Sequence, residues 1–307
     1  MEVLKYKDWQ NTVDTLGMYI QMVGKVALER IPQEPEWESA MLHITPTGIS
    51  TGNIPSENGM FQISFNFVKH ELVICDESGQ EIITPLKDGV SVAQFYKKFL
   101  SKLEFLGFRT DIYSIPQEWN FTTPFENDNI HKSYDREAVE KWFKMVKYAY
   151  NLLSKFAAPF RGRRTKVNFY WGCLDMGTVR YSSKLLNVDP SLPVGFRYGV
   201  DAEEVEFGFN LGNNAIGEPY FFGFMWPNNP EEYKKITLPV EKAYYNDQFI
   251  YKLSDCLATS NPKESALAFF QGVYEAATKV QGWQNLESYN KPLELPPQKI
   301  RRNHPLK

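Results

Sequence analysis

An acid and a base stand five positions apart in "FYWGCLDMGTVRYSS", residues 169–183, within the most aromatic strand-like run of the chain. Alternate residues of a strand share a face, so Val167, Phe169, Trp171, Cys173 and Asp175 are expected to point one way. Reading Gly177-Thr178 as a two-residue hairpin turn pairs Met176 with Val179, sets Asp175 opposite Arg180 and turns Cys173 toward Ser182. The expected surface carries Trp171, Asp175, Arg180 and Ser182 together. On it Arg180, oriented by Asp175, presents a planar fork to an anionic or carbonyl-bearing small molecule stacked on Trp171. The same spacing also reads as a cross-strand salt bridge that only fixes a hairpin.

Other chemistry-bearing residues are sparser. Glu204 and Glu206 share a strand face away from Val205, Phe207 and Phe209, a placement that suits metal binding, acid/base work or, more often, a solvated face. Glu204 completes the candidate binding set. Cys173 would act as a nucleophile only beside an activating base, and His43, His70, His131 and His304 are scattered. The run Arg161-Gly162-Arg163-Arg164 reads as a phosphate-binding loop or as solvated charge, and Gln21 with Lys25 as the solvated side of the first helix.

Cysteines 75, 173 and 256 are odd in number and far apart, which argues against a zinc site or disulfide framework and for a cytoplasmic protein. No cofactor or metal is expected. A formal charge of -3 over 307 residues lacks the positive field of a nucleic-acid binder. No apolar run approaches the roughly 20 residues of a membrane span. Oligomeric state is not encoded in any motif.

The elements that must position these residues follow from periodicity. Trp9, Val13, Leu16, Ile20, Val23 and Ala27 form a helical stripe closed by Pro32. "SAMLHITPTGIST" reads as two short strands around a turn, "FQISFNF" alternates cleanly, and "ELVIC" adds a strand. Ser91 and Gln94 form a capping box ahead of a helix that Gly107 ends. Asp135 caps a second long helix carrying Ala138, Trp142, Met145, Ala149, Leu152 and Phe156. Strands follow at "VNFYWGCLDM", "VRYSS", "EVEFGFNL", "PYFFGFMW" and "FIYKL", and a last helix opens with Asn261 and Pro262 and stops at Gly282.

Short hairpin connections make the sheets mainly antiparallel, so the class is α+β with long amphipathic flanking helices. Residues 1–113 form a first half, 114–134 a connection, 135–287 a second half, and 288–307 an extended or disordered tail. Both halves read as helix, strands, helix, the pattern of an internal repeat.

The stretches "TLGMYIQMVGK" (15–25), "FQISFNFVKHEL" (61–72), "VNFYWGCLDM" running into "VRYS", and "EPYFFGFMWP" (218–227) resemble an uncharacterised bacterial family, domain-of-unknown-function family 5996. The resemblance spans nearly the whole chain and implies one family-length unit, with no activity, cofactor or substrate attached. It also implies histidines at the positions of Asn168 and Gly17 and just before Glu204, which this chain lacks. Asp175, Arg180 and Glu204 fit its pattern. The resulting expectation is a small-molecule site near the 175–180 hairpin; the alternatives are an interaction or structural protein without a small ligand, or an enzyme.

Overall fold

The first helix, α1 (Tyr6–Arg30), buries Trp9, Val13, Leu16, Ile20, Val23 and Ala27, the stripe its spacing predicts. A computed structural model describes residues 1–192 and 194–292 of the chain. After α1 comes a 3₁₀ segment, Pro35–Ala40, in which Glu36 and Trp37 both take left-handed backbone angles. Strands β1 (His43–Ile44), β2 (Gly48–Ser50), β3 (Ile54–Ser56), β4 (Gly59–Asn66), β5 (Glu71–Asp76) and β6 (Glu81–Pro85) build an antiparallel sheet in the order β1-β2-β4-β5-β6, with β3 also on β4. The alternation along β4 is as read: Phe61, Ile63 and Phe65 are buried, while Gln62, Ser64 and Asn66 are half-buried. Helix α2 (Val92–Phe105) carries the full Ser91–Gln94 capping box. Gly107 follows it at φ 82°, where a side chain would be strained.

The second half opens with α3 (Arg136–Ala157), capped by Asp135 accepting from the Ala138 amide. It continues through β7 (Asn168–Tyr170), β8 (Asp175–Leu185), α4 (Val194–Gly199), β9 (Ala202–Asn210) and β10 (Tyr220–Trp226). Then come α5 (Pro230–Tyr233), β11 (Tyr244–Asn246), β12 (Gln248–Lys252), α6 (Leu253–Leu257), α7 (Pro262–Gln281) and α8 (Leu286–Tyr289). The second sheet is antiparallel, in the order β11-β12-β10-β9-β8-β7. The class is therefore α+β. Both halves run helix, antiparallel meander, helix, but the second meander ends in a reversed hairpin that sets β12 rather than β11 beside β10. Of the expected tail, 293–307 lie outside the described residues.

The two sheets meet edge to edge. Leu42, just before β1, and Phe169 in β7 exchange both backbone hydrogen bonds, at 3.1 and 2.8 Å. Beneath that seam the core is shared: Trp142 of α3 contacts Trp9, Phe67 and Phe169, with ring centroids 5.8, 5.4 and 6.1 Å away. The segment 114–134 thus links halves that fold around one core.

The hairpin register differs from the expectation. Tyr170 pairs with Asp175 and Asn168 with Gly177, so the turn is the four residues Trp171–Leu174, not Gly177-Thr178. Leu174 takes the left-handed angle (φ 59°) that turn chemistry usually assigns to Gly or Asn, so the local signal for this turn is missing. Gly177 instead lies inside β8, where an added Cβ would come 2.6 Å from a Glu206 carboxylate oxygen and 3.0 Å from the Phe207 carbonyl. It is glycine to admit a neighbour, not to turn the chain.

Candidate functional site

With Asp175 and Arg180 on one strand, five residues apart, they face opposite sides of the sheet. They do not pair. Arg180 turns toward the helices, where its guanidinium carbon lies 3.9 Å from the Phe156 ring centroid, 4.7 Å from Tyr274 and 4.8 Å from Phe160. One Nη donates to the Phe156 carbonyl at 2.6 Å, and Nε has no partner. Burial lowers its pKa to about 10. Ser182, expected opposite Cys173, is on Arg180's side and donates to Glu203 at 3.4 Å. Neither residue reaches the cleft described next, and the premise for an anion-holding arginine there is removed.

The opposite face of the sheet borders a cleft of about 670 Å³, within the size range of small-molecule sites. Its walls come from both halves. The end of α1 supplies Leu28 and Glu29, the 3₁₀ segment Glu36 and Trp37, the connection Gln117 and Glu118, and α4 its glycines. Tyr170 of β7, Asp175 and Tyr181 of β8, and Glu204 and Glu206 of β9 form the floor. Trp171 lies in the turn, not on the strand. Its indole crosses Gly24 of α1, where a Cβ would come 2.2 Å from the ring, and Nε1 donates to the Ala40 carbonyl at 2.8 Å. Of the predicted residues the fold therefore gathers Trp171, Asp175 and Glu204 at the cleft, and sends Arg180 and Ser182 away from it.

The acids are not a solvated face. Val205, Phe207 and Phe209 do point into the core, but Glu204 on the other side is only 4% exposed. One of its carboxyl oxygens has no hydrogen-bond partner. Burial, and then the nearby Glu206, push its pKa well above the carboxylate range. Glu206 is pushed up to about 8 by burial, with Asp175 and Glu118 adding to the shift. Asp175 rises to about 6, again through burial, although hydrogen bonds from Cys173 and Asn210 oppose the rise. At neutral pH Glu204 and Glu206 therefore hold protons, while Asp175 is mostly ionised. The Cys173 thiol donates to Asp175 Oδ1 at 2.8 Å and is itself pushed far up by burial, which leaves no thiolate for nucleophilic attack.

Sequence reasoning missed two supporting residues. Gln21 and Lys25, read as a solvated helix face, are buried. Gln21 bonds the Gln117 carbonyl at 2.7 Å, the Gln117 amide at 2.8 Å and the Gly172 carbonyl at 3.1 Å. Lys25 donates to the carbonyls of Tyr113 and Ile115 at 2.8 and 2.7 Å, and burial lowers its pKa to about 8. Together they pin the connection against α1 and carry Glu118 to Gly172, where a Cβ would meet its carboxylate at 2.4 Å. Their signal was faint: polar residues four apart within an otherwise apolar helix segment.

The arginine run is tied to the fold. Arg163 bridges Glu36 and Asp201, the latter at 2.7 Å, and stacks 4.2 Å over the Tyr181 ring, while Arg161 donates to the Pro292 carbonyl at 3.0 Å. At the positions where relatives were expected to carry histidine, Asn168 donates to Glu38 at 2.8 Å and Gly17 lies against Trp119, 2.6 Å from an added Cβ. Among the described residues no group of three His, Cys, Asp or Glu side chains could hold a metal ion, and no helix is long and apolar enough to cross a membrane.

Residues 1–289 match the profile of a family of unknown function (DUF5996), and the chain belongs to that family. No curated protein and no solved structure matches it.

Proposed function

We propose that this member of the family binds a small organic molecule in the aromatic- and acid-lined cleft between its two halves. The observation that carries the reading is the Glu204 carboxyl: it lines a cleft of about 670 Å³, is 4% exposed, and leaves one oxygen without a partner. Buried polar atoms are nearly always bonded, so an unpartnered oxygen on a residue that lines a cavity marks a place where a ligand completes the set. Trp37, Tyr170, Trp171 and Tyr181 supply apolar area around it.

Two further readings accompany this one. Three free cysteines fit a reducing, cytoplasmic setting. The recurrence of helix, meander and helix supports duplication of an ancestral half, with the cleft at the junction.

The test is native mass spectrometry of the intact protein from a cell extract, paired with a thermal-shift metabolite screen. A bound small molecule is expected, lost when the lining residue Met41 is replaced by Trp to fill part of the cleft. If neither experiment finds a ligand that Met41→Trp removes, the cleft is not a binding site and the interaction-protein reading takes its place.

A further inference from the structure

Resting on the reading of the cleft as a small-molecule site, we infer that its ligand is an organic ammonium compound whose protonated amines are held by Glu204 and Glu206. The sign of the charge follows from the lining. Glu29, Glu36, Glu118, Asp175, Glu204 and Glu206 all border the cleft, whereas among the described residues no lysine, arginine or histidine does. Arg163, outside the lining, is already bound to Glu36 and Asp201. The buried guanidinium of Arg180 is turned to the far side of the same sheet.

Acids alone would not make a site. The independent observation is the enclosed Glu204 oxygen that finds no donor among the described residues. An ammonium group offers what is missing there, both an N–H donor and a positive charge. Neutral hydroxyls would supply the donor without the charge, and an anion would supply neither.

Spacing narrows the class. Glu204 and Glu206 are alternate residues of β9, so their side chains leave the same face about 7 Å apart. Two amines joined by a short alkyl chain span that interval. The indole of Trp171 and the ring of Tyr170 border the same space and suit both methylene packing and cation–π contact. A short aliphatic diamine combines these features.

Binding then exchanges charge. Glu206 faces Asp175 and Glu118, and Glu204 faces Glu206, Asp201 and Glu36 with Arg163 beyond them. This acidic surrounding and burial hold protons on Glu204 and on part of the Glu206 population. An ammonium group that pairs with either carboxylate displaces the proton still bound there, so binding at pH 8 releases protons to solvent.

The experiment is isothermal titration calorimetry of the full chain at pH 8 in two buffers of different protonation enthalpy, with diaminobutane, acetate and glucose as probes. Diaminobutane is expected to bind at a single site with proton release. Glu204→Gln and, separately, Glu206→Gln are expected to weaken it about tenfold or more, the size of a lost charge-assisted hydrogen bond, while each variant unfolds as cooperatively as the wild type. If acetate or glucose binds and diaminobutane does not, the cationic class is overturned and the small-molecule reading stands. If diaminobutane binds both variants as tightly as wild type, it is held elsewhere and the assignment fails. If no probe binds and the extract yields no ligand, both readings fall together.

Discussion

The two faces of the second sheet each bury charge, and they deal with it in opposite ways. On the helix side, Arg180 is 3% exposed and has no carboxylate partner among the described residues; aromatic rings and one carbonyl surround it. On the cleft side, Asp175, Glu204 and Glu206 line an open space, and the two glutamates answer burial by taking up protons. Arginine cannot shed its proton under ordinary conditions, so its environment must be built permanently around it. A carboxylic acid can change state, and a floor of such groups is suited to a partner that comes and goes. The strand's period of two keeps the two solutions apart although their residues alternate along β8 and β9.

Substitutions that empty one face should separate these roles. Arg180→Ala removes the filling of the aromatic cage and is expected to cost about 3 kcal/mol in a denaturant titration, in the range of large-to-small core changes. Arg180→Met keeps much of the volume and drops an unpaired buried charge, so most of the stability should return. In neither variant should the affinity of the cleft change. Loss of ligand from a folded Arg180→Met would mean that the two faces are coupled after all.

Next in size is the seat of Trp171. Gly24→Val places methyl groups where the indole now lies and is expected to cost about 1–3 kcal/mol, the range for overpacking. It should also expose Trp171, seen as a red shift in its fluorescence. A silent spectrum would mean that the indole is not held against α1.

A separate test is the pH dependence carried by Glu206. Its pKa rises from 4.5 to about 8 on folding, so between these values the folded chain holds a proton that the unfolded chain has released. Stability therefore falls as pH climbs from about 4.5 to 8, by at most about 1.4 kcal/mol per pH unit, and by less for the part of the carboxyl that meets water. Glu206→Gln lessens this slope and leaves the share carried by Glu204 and Asp175, a difference that melting temperatures at pH 5 and pH 8 compare directly. Equal slopes in the two proteins would contradict the raised pKa.

How much of this was legible in the sequence depends on what each feature rests upon. The caps at Ser91, Asp135 and Asn261, the glycine stop at Gly282 and the alternation of Phe61, Ile63 and Phe65 are local, and they read correctly. The 171–174 turn was not legible because a leucine holds its left-handed position, while Gly177 imitates a turn residue although its purpose is room for Glu206. That single error of register moved Arg180 to the wrong face and put a basic residue in a site whose described lining has none. Glu118, Gln21 and Lys25 act across long sequence separations, so no spacing rule could bring them together. Strand alternation and chemical type placed Asp175 and Glu204 on the face that borders the cleft, whereas Trp171 borders it from the turn, where alternation does not apply.

The central claim is that the cleft holds its glutamates as acids until a cation replaces their protons. Carboxyl carbon NMR of protein labelled at glutamate, titrated with and without diaminobutane, tests it most directly. Without the diamine, a resonance missing from Glu206→Gln should titrate near pH 8; with it, the midpoint should move toward the ordinary carboxylate range. Glutamates that all titrate in that range and ignore the diamine would contradict the account.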